Sequence, residues 1–212
     1  MKQKTLFTVA VVCLIAAFIA GVLLYASQSS HLSEAKRAVL MRADAPSEGK
    51  AGAPVVIVEF FDPACGTCRE FYPLVKNMLH LHPTRIRVVM RYAPFHNGSD
   101  KVVAVLEAAR KQGKFWPALE ALFRAQPDWV QNHTAVLDRV WGHLEGLGLD
   151  LDKVRADMNA PDVTNVIAQD LAAAKTLNVT QTPEYFVNGR PLPSFGWEQL
   201  QDLINSELHA TR

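Results

Sequence analysis

The stretch VVIVEFFDPACGTCREFYP, residues 55–73, decides how the rest of this chain is read. Its first seven residues are β-branched and aromatic, a strand-like run that closes on Asp62-Pro63. A helix is predicted over 66–81, interrupted at Pro73, which puts Cys65 at the helix N-terminus and Cys68 one turn further in. Gly66 and Thr67 lie between them in the first helical turn. The unpaired amides and the positive dipole end found there favour a thiolate. Cys65 is therefore the candidate nucleophile, and Cys68 the buried thiol that would resolve a mixed disulfide and close the Cys65–Cys68 bond.

The pair has three rival uses. Zinc needs a second ligand pair, and the nearest candidates, His80 and His82, are separated by one residue where finger spacing asks for three to five. A structural crosslink closing so short a loop constrains the unfolded chain little. Copper delivery by the two thiolates lacks a nearby Met or His at suitable spacing. Thiol–disulfide exchange needs no metal and no bound cofactor, since the two sulfurs carry the electrons.

The 22 basic and 21 acidic side chains nearly cancel, and no Lys/Arg cluster exceeds two, which argues against nucleic-acid binding. The N-terminus departs from this balance. Residues 6–26 are mostly apolar, with no charge between Lys4 and Glu34. As a helix this segment would cross about 30 Å of hydrocarbon. Lys2 and Lys4 would hold residues 1–5 in the cytoplasm as a stub and send the remainder outward. The competing reading is a cleaved signal peptide, whose apolar core is shorter and ends in a small-x-small site; here the run ends Leu24-Tyr25-Ala26-Ser27. Cys13, inside the run, reads as a small hydrophobe. Either reading exports Cys65 and Cys68 to an oxidising compartment where disulfides persist.

Residues 27–53 read as a polar tether with a short helix near 34–41. RIRVVMRY, residues 85–92, alternates as a second strand. From about 100 to 177 only helical patterns occur. Val102, Val105, Leu106 and Ala109 share one face, and Leu119, Leu122 and Phe123 another, with further helices over 134–147, 152–158 and 162–176. PEYFVNGRPLP then gives two short strands around an Asn188-Gly189 hairpin turn, before a last helix from about 197 to 209. This order describes an α/β domain: a small mixed sheet carrying a helical insertion.

Glu59 interrupts the apolar run on the face it shares with Val55, Ile57 and Phe61. A carboxylate there is costly unless it is paired or its pKa is raised. One reading is a salt bridge at the strand edge; the other is a proton acceptor beneath the cysteines. Thr182-Pro183 precedes the strand EYFV. One reading is an ordinary trans turn; the other is a cis bond that leaves the Thr182 backbone free to pair with an extended substrate near Cys65.

Together, APVVIVEFFDPACGTC, QGKFWPALEALF and LNVTQTPEYFVNGRPL resemble, in this order, the DsbA-like branch of the thioredoxin superfamily, particularly its membrane-anchored bacterial members. The resemblance spans about residues 53–208. It implies a thioredoxin fold over 54–212, a helical insertion at about 97–177, and thiol:disulfide oxidoreductase activity. By the same resemblance Cys65 attacks, Cys68 resolves, Glu59 is the buried acid, and Thr182-Pro183 is a cis-proline pair facing the active site beside Gly66 and Thr67. Pro73 resembles the helix-kinking proline of thioredoxins. The partners implied are exported cysteine-containing proteins and a membrane redox partner that recycles the pair. The implied location is the bacterial inner membrane, single-pass, with the catalytic domain in the periplasm. Gly66-Thr67 departs from the Pro-His of strongly oxidising members, which removes one source of thiolate stabilisation.

The expectation is an anchored, exported enzyme of disulfide exchange. Its rivals are a redox-inactive holder or assembly factor and a metallochaperone using the cysteine pair. His96 follows the second strand and reads as a loop histidine near the active-site rim. Trp116, Trp129, Trp141 and Trp197 read as core or rim packing.

Overall fold

A computed structural model describes residues 11–22, 34 and 37–211. The chain divides into two units, Met1–Val39 and Leu40–Arg212. In the first, residues 11–22 are helical, and the rest of the expected 6–26 span lies outside the described residues. Among the described residues no helix is long and apolar enough to cross a membrane.

The second unit is built on a five-stranded mixed sheet. Its strands are β1 (Ser47–Gly49), β2 (Val55–Phe61), β3 (Ile86–Tyr92), β6 (Glu184–Val187) and β7 (Arg190–Pro191), in spatial order β1-β3-β2-β6-β7. β2 and β3 are parallel and joined by α1 (Gly66–Leu81), a crossover helix of the kind parallel pairing requires. β6 and β1 add antiparallel on either side. Every residue of β2 except Val56 is buried, as expected of a central strand covered on both faces. α1 and α5 (Pro161–Thr176) pack on β3, and α6 (Trp197–Ala210) packs on β2 and β6. The expected interruption at Pro73 does not occur, since α1 runs through it unbroken.

The insertion between β3 and β6 holds α2 (Ser99–Lys111), α3 (Phe115–Arg124), α4 (Leu151–Asp157) and α5. Val102, Val105, Leu106, Ala109, Leu119 and Leu122 are all fully buried, so both apolar faces read from the sequence are used. The helix expected over 134–147 is absent. Asn132 and His133 adopt positive φ and turn a small hairpin between β4 (Val130–Gln131) and β5 (Thr134–Ala135), and two 3₁₀ turns follow. Val136 and Glu145 are extended and Gly146 has φ +75°, so no α-helical backbone runs through 134–147.

The tether also differs. From Leu40 onward it is integral to the domain. Leu40 and Ala45 are buried, and Ser47–Gly49 pairs with β3 as an edge strand. A buried ion cluster fixes this segment. Asp170 accepts from Arg91 Nε at 2.8 Å and from Arg42 Nε at 3.0 Å, while Arg91 Nη1 donates to the Leu40 carbonyl. Gly49 has φ +101°, and a Cβ there would collide with the Ile86 carbonyl oxygen, so only glycine closes the strand.

Candidate active site

β2 delivers the chain to the sheet's C-terminal edge, where a loop of Asp62, Pro63 and Ala64 leads into α1. Cys65 is the N-cap of that helix, and its sulfur accepts from the Cys68 amide at 3.4 Å. The same thiol donates to the Thr182 carbonyl at 3.2 Å. The Thr182–Pro183 peptide bond is cis. The two cysteines and the Thr182-Pro183 pair singled out in the sequence thus meet at one place.

Cys65 and Cys68 are free thiols here, and their surroundings drive them apart. A hydrogen bond from Cys68, helped by the Thr182 side chain and by the Cys68 and Thr67 amides, outweighs burial and lowers Cys65 to about 6. Burial and the hydrogen bond with Cys65 push Cys68, which has no exposed surface, well above the ordinary thiol range. One sulfur is a thiolate at neutral pH and the other holds its proton.

Glu59 sits in the middle of β2, opposite Met90 on β3 and Tyr185 on β6. It is 1 % exposed. Burial raises its carboxyl to about 8, a nearby Tyr185 opposes the rise, and the Cys65 charge adds to it. The Tyr185 hydroxyl approaches without reaching hydrogen-bond geometry. Among the described residues neither Glu59 oxygen nor that hydroxyl has a partner. No ion pair to Glu59 is formed among them either, so the strand-edge salt bridge is not what holds it.

Sequence reasoning missed the groups that fix the cysteine loop. Asp62 is fully buried. Its carboxylate accepts from the Ala64 amide (2.8 Å), the His96 amide (2.7 Å), His96 Nδ1 (2.8 Å) and Ser99 Oγ (3.1 Å). From the other side, Gln126 Nε2 donates to the Pro63 and Cys65 carbonyls at 2.8 and 2.9 Å. His96 therefore acts on the loop through Asp62. The available signal was the Asp-Pro after the strand, a residue type that ties turns through its side chain. Gln126 gave none, because its partners lie far off in sequence. Trp129 is a core residue, donating to the Leu122 carbonyl. His80 and His82 lie at the far end of α1 from the cysteines, and among the described residues no three His, Cys, Asp or Glu side chains gather as a metal site.

The family model for thioredoxin matches residues 43–206. A thioredoxin-like oxidoreductase from Silicibacter pomeroyi superposes with a TM-score of 0.68 at 32% identity, covering 79% of this chain and 94% of that one. The α-DsbA1 of Wolbachia pipientis gives a TM-score of 0.68 over 83% of this chain and 96% of that one; at 17% identity this likeness is one of fold. The Na(+)/H(+) antiporter NhaA of Herminiimonas arsenicoxydans is 31% identical over 144 residues, 68% of this chain. The chain spans about a fifth of that antiporter's length, 22%.

Proposed function

The chain belongs to the thioredoxin family, and we propose that it is an exported thiol:disulfide oxidoreductase working on cysteines of other exported proteins through Cys65 and Cys68. The observation that carries this reading is the placement of the pair. Cys65 caps the helix with its sulfur against the Cys68 amide and the Thr182 carbonyl, and Cys68 is fully buried behind it, which lowers the first thiol and raises the second. The oxidoreductase from Silicibacter pomeroyi, similar over nearly its whole length, supports it.

In the reducing direction the Cys65 thiolate attacks a client disulfide, forms a mixed disulfide and expels one client thiolate. That step removes the negative charge from Cys65, which had helped keep Glu59 protonated. Glu59 then ionises more readily, releasing its proton to solvent, and the resulting carboxylate takes the Cys68 proton. The Cys68 thiolate attacks Cys65 Sγ, the mixed disulfide breaks, and the second client thiolate leaves. Two electrons pass to the client and the pair becomes a disulfide. The oxidising direction runs the same steps backwards. Thr182, Pro183, Gly66 and Thr67 line the approach to the sulfur, and the Thr182 carbonyl beside it is suited to pairing with an extended client.

A membrane redox partner resets the pair. The apolar run at 6–26, preceded by Lys2 and Lys4, supports a single span in the bacterial inner membrane with residues 54–212 in the periplasm. The test is Cys65→Ser in an insulin-reduction assay. Loss of all turnover is expected, and residual activity contradicts the assignment. If that variant kept the protein's cellular role, the holder reading would take its place.

A further inference from the structure

Arg69, Tyr72 and Pro73 follow Cys65 along α1 at positions i+4, i+7 and i+8, which keeps them on one helical face. Across from them stand Glu120, Phe123 and Arg124 of α3, enclosing a cleft of about 410 Å³. That size falls within the range of ligand sites. Its apolar floor is the Tyr72–Phe123 ring pair, 5.3 Å between centroids.

The charges of the cleft are uneven. Glu120 accepts from the Tyr72 hydroxyl at 3.0 Å and lies 3.7 Å from Lys76, so its charge is met from within the fold. Among the described residues Arg69 forms an ion pair with its exposed neighbour Glu70 alone, at 3.9 Å. Arg124 has no ion-pair partner among the described residues. Two cations thus border an aromatic floor that starts one helical turn from the nucleophile.

We propose that this cleft receives the client segment flanking the cysteine that engages Cys65, and that it selects acidic flanks. The inference rests on the disulfide-exchange reading and names the class of client which that site prefers. A carboxylate entering the cleft would pair with the Arg69 or Arg124 guanidinium, and the apolar part of the flank would cover Tyr72 and Phe123.

The experiment uses two disulfide-bonded peptides, identical except that Asp and Glu flank the cysteine in one and Asn and Gln in the other. The full-length chain is expected to turn over the acidic peptide several-fold faster at low salt. An exposed ion pair contributes up to about fivefold, and reversal turns attraction into repulsion, so Arg124→Glu should lose about tenfold on the acidic peptide and under twofold on the neutral one. Arg124→Gln, the milder change at a helix end, should lose about threefold on the acidic peptide alone. Raising salt toward 0.15 M should shrink the preference. Equal losses on both peptides, or no preference in the parent chain, overturn the proposal. Serine-for-cysteine versions of both peptides, titrated by calorimetry, read the cleft without thiol chemistry. If no peptide were turned over, the oxidoreductase reading would fall; an acidic preference in binding would still uphold the cleft, and its absence would sink it.

Discussion

The sulfur of Cys65 lies 3.2 Å from the carbonyl oxygen of Thr182, joining the first cysteine of the pair to the residue before Pro183. Around that contact the Cys68 thiol and two backbone amides face the same sulfur, so its negative charge is solvated by the fold itself.

Cys65 should therefore titrate near pH 6. Its alkylation rate should rise with a midpoint there, while Cys68 stays unmodified. A midpoint near the ordinary thiol value of 9 contradicts the account. The folded chain holds this proton more weakly than the unfolded chain, so ionisation adds stability as pH rises from about 6 to 9 and the gain is lost as pH falls through 6. The stability difference between the reduced chain and Cys65→Ala should grow across that window by on the order of 2–4 kcal/mol, read by urea unfolding.

Glu59 has the opposite sign. The folded chain keeps a proton up to about pH 8 that the unfolded chain releases near 4.5, so this carboxyl costs stability as pH climbs between those values. Glu59→Leu should be close to neutral at pH 4.5 and on the order of 2–4 kcal/mol more stable than the parent at pH 8. If the variant were less stable at pH 8, Glu59 would have a partner that the fold does not show. The same change should slow resolution of the mixed disulfide by about 100-fold or more, measured by acid quenching.

Asp62 holds four donors around the cysteine loop. Asp62→Ala leaves those donors without their acceptor and should cost about 3–5 kcal/mol in urea unfolding. It should also move the Cys65 midpoint upward as the loop loosens. A loss under about 1 kcal/mol, with an unmoved midpoint, would remove Asp62 from the positioning role.

Asp170 joins Arg42, Arg91 and the Tyr92 amide in the buried ion cluster. Asp170→Asn strips the charge from that cluster and should destabilise by about 3–5 kcal/mol. Amide exchange should quicken first in β1, the strand this cluster fixes. Uniform quickening across the sheet would mean that β1 is held by its ladder bonds alone.

The legible parts of this fold were those whose signal is local. The apolar run of β2, the Asn188-Gly189 turn and the buried faces of α2 and α3 each announce themselves within a few residues. The Cys65–Cys68 pair was readable for the same reason, since helix N-terminal chemistry depends on neighbours in sequence. β1 was not legible: Ser-Glu-Gly has no strand pattern, and it joins the sheet because Arg91 and Asp170, distant in sequence, grip the chain ahead of it. The 134–147 helix failed because Thr134 and Ala135 pair as a strand and Glu145 turns extended ahead of the left-handed Gly146, which apolar spacing does not report. Gln126 was invisible for want of any local cue to the two loop carbonyls it ties. Glu59 was visible as an anomaly, but its lack of any hydrogen-bond partner among the described residues is a property of the packed sheet.

The reduction potential of the Cys65–Cys68 pair, equilibrated against glutathione, tests the central claim most directly. A thiol at about 6 lies between thioredoxin, about 7, and DsbA, about 3.5. The account predicts a reversible two-electron couple between the potentials of those proteins, about −270 and −120 mV. A pair that shows no reversible couple, or that stays dithiol at every glutathione ratio, contradicts it.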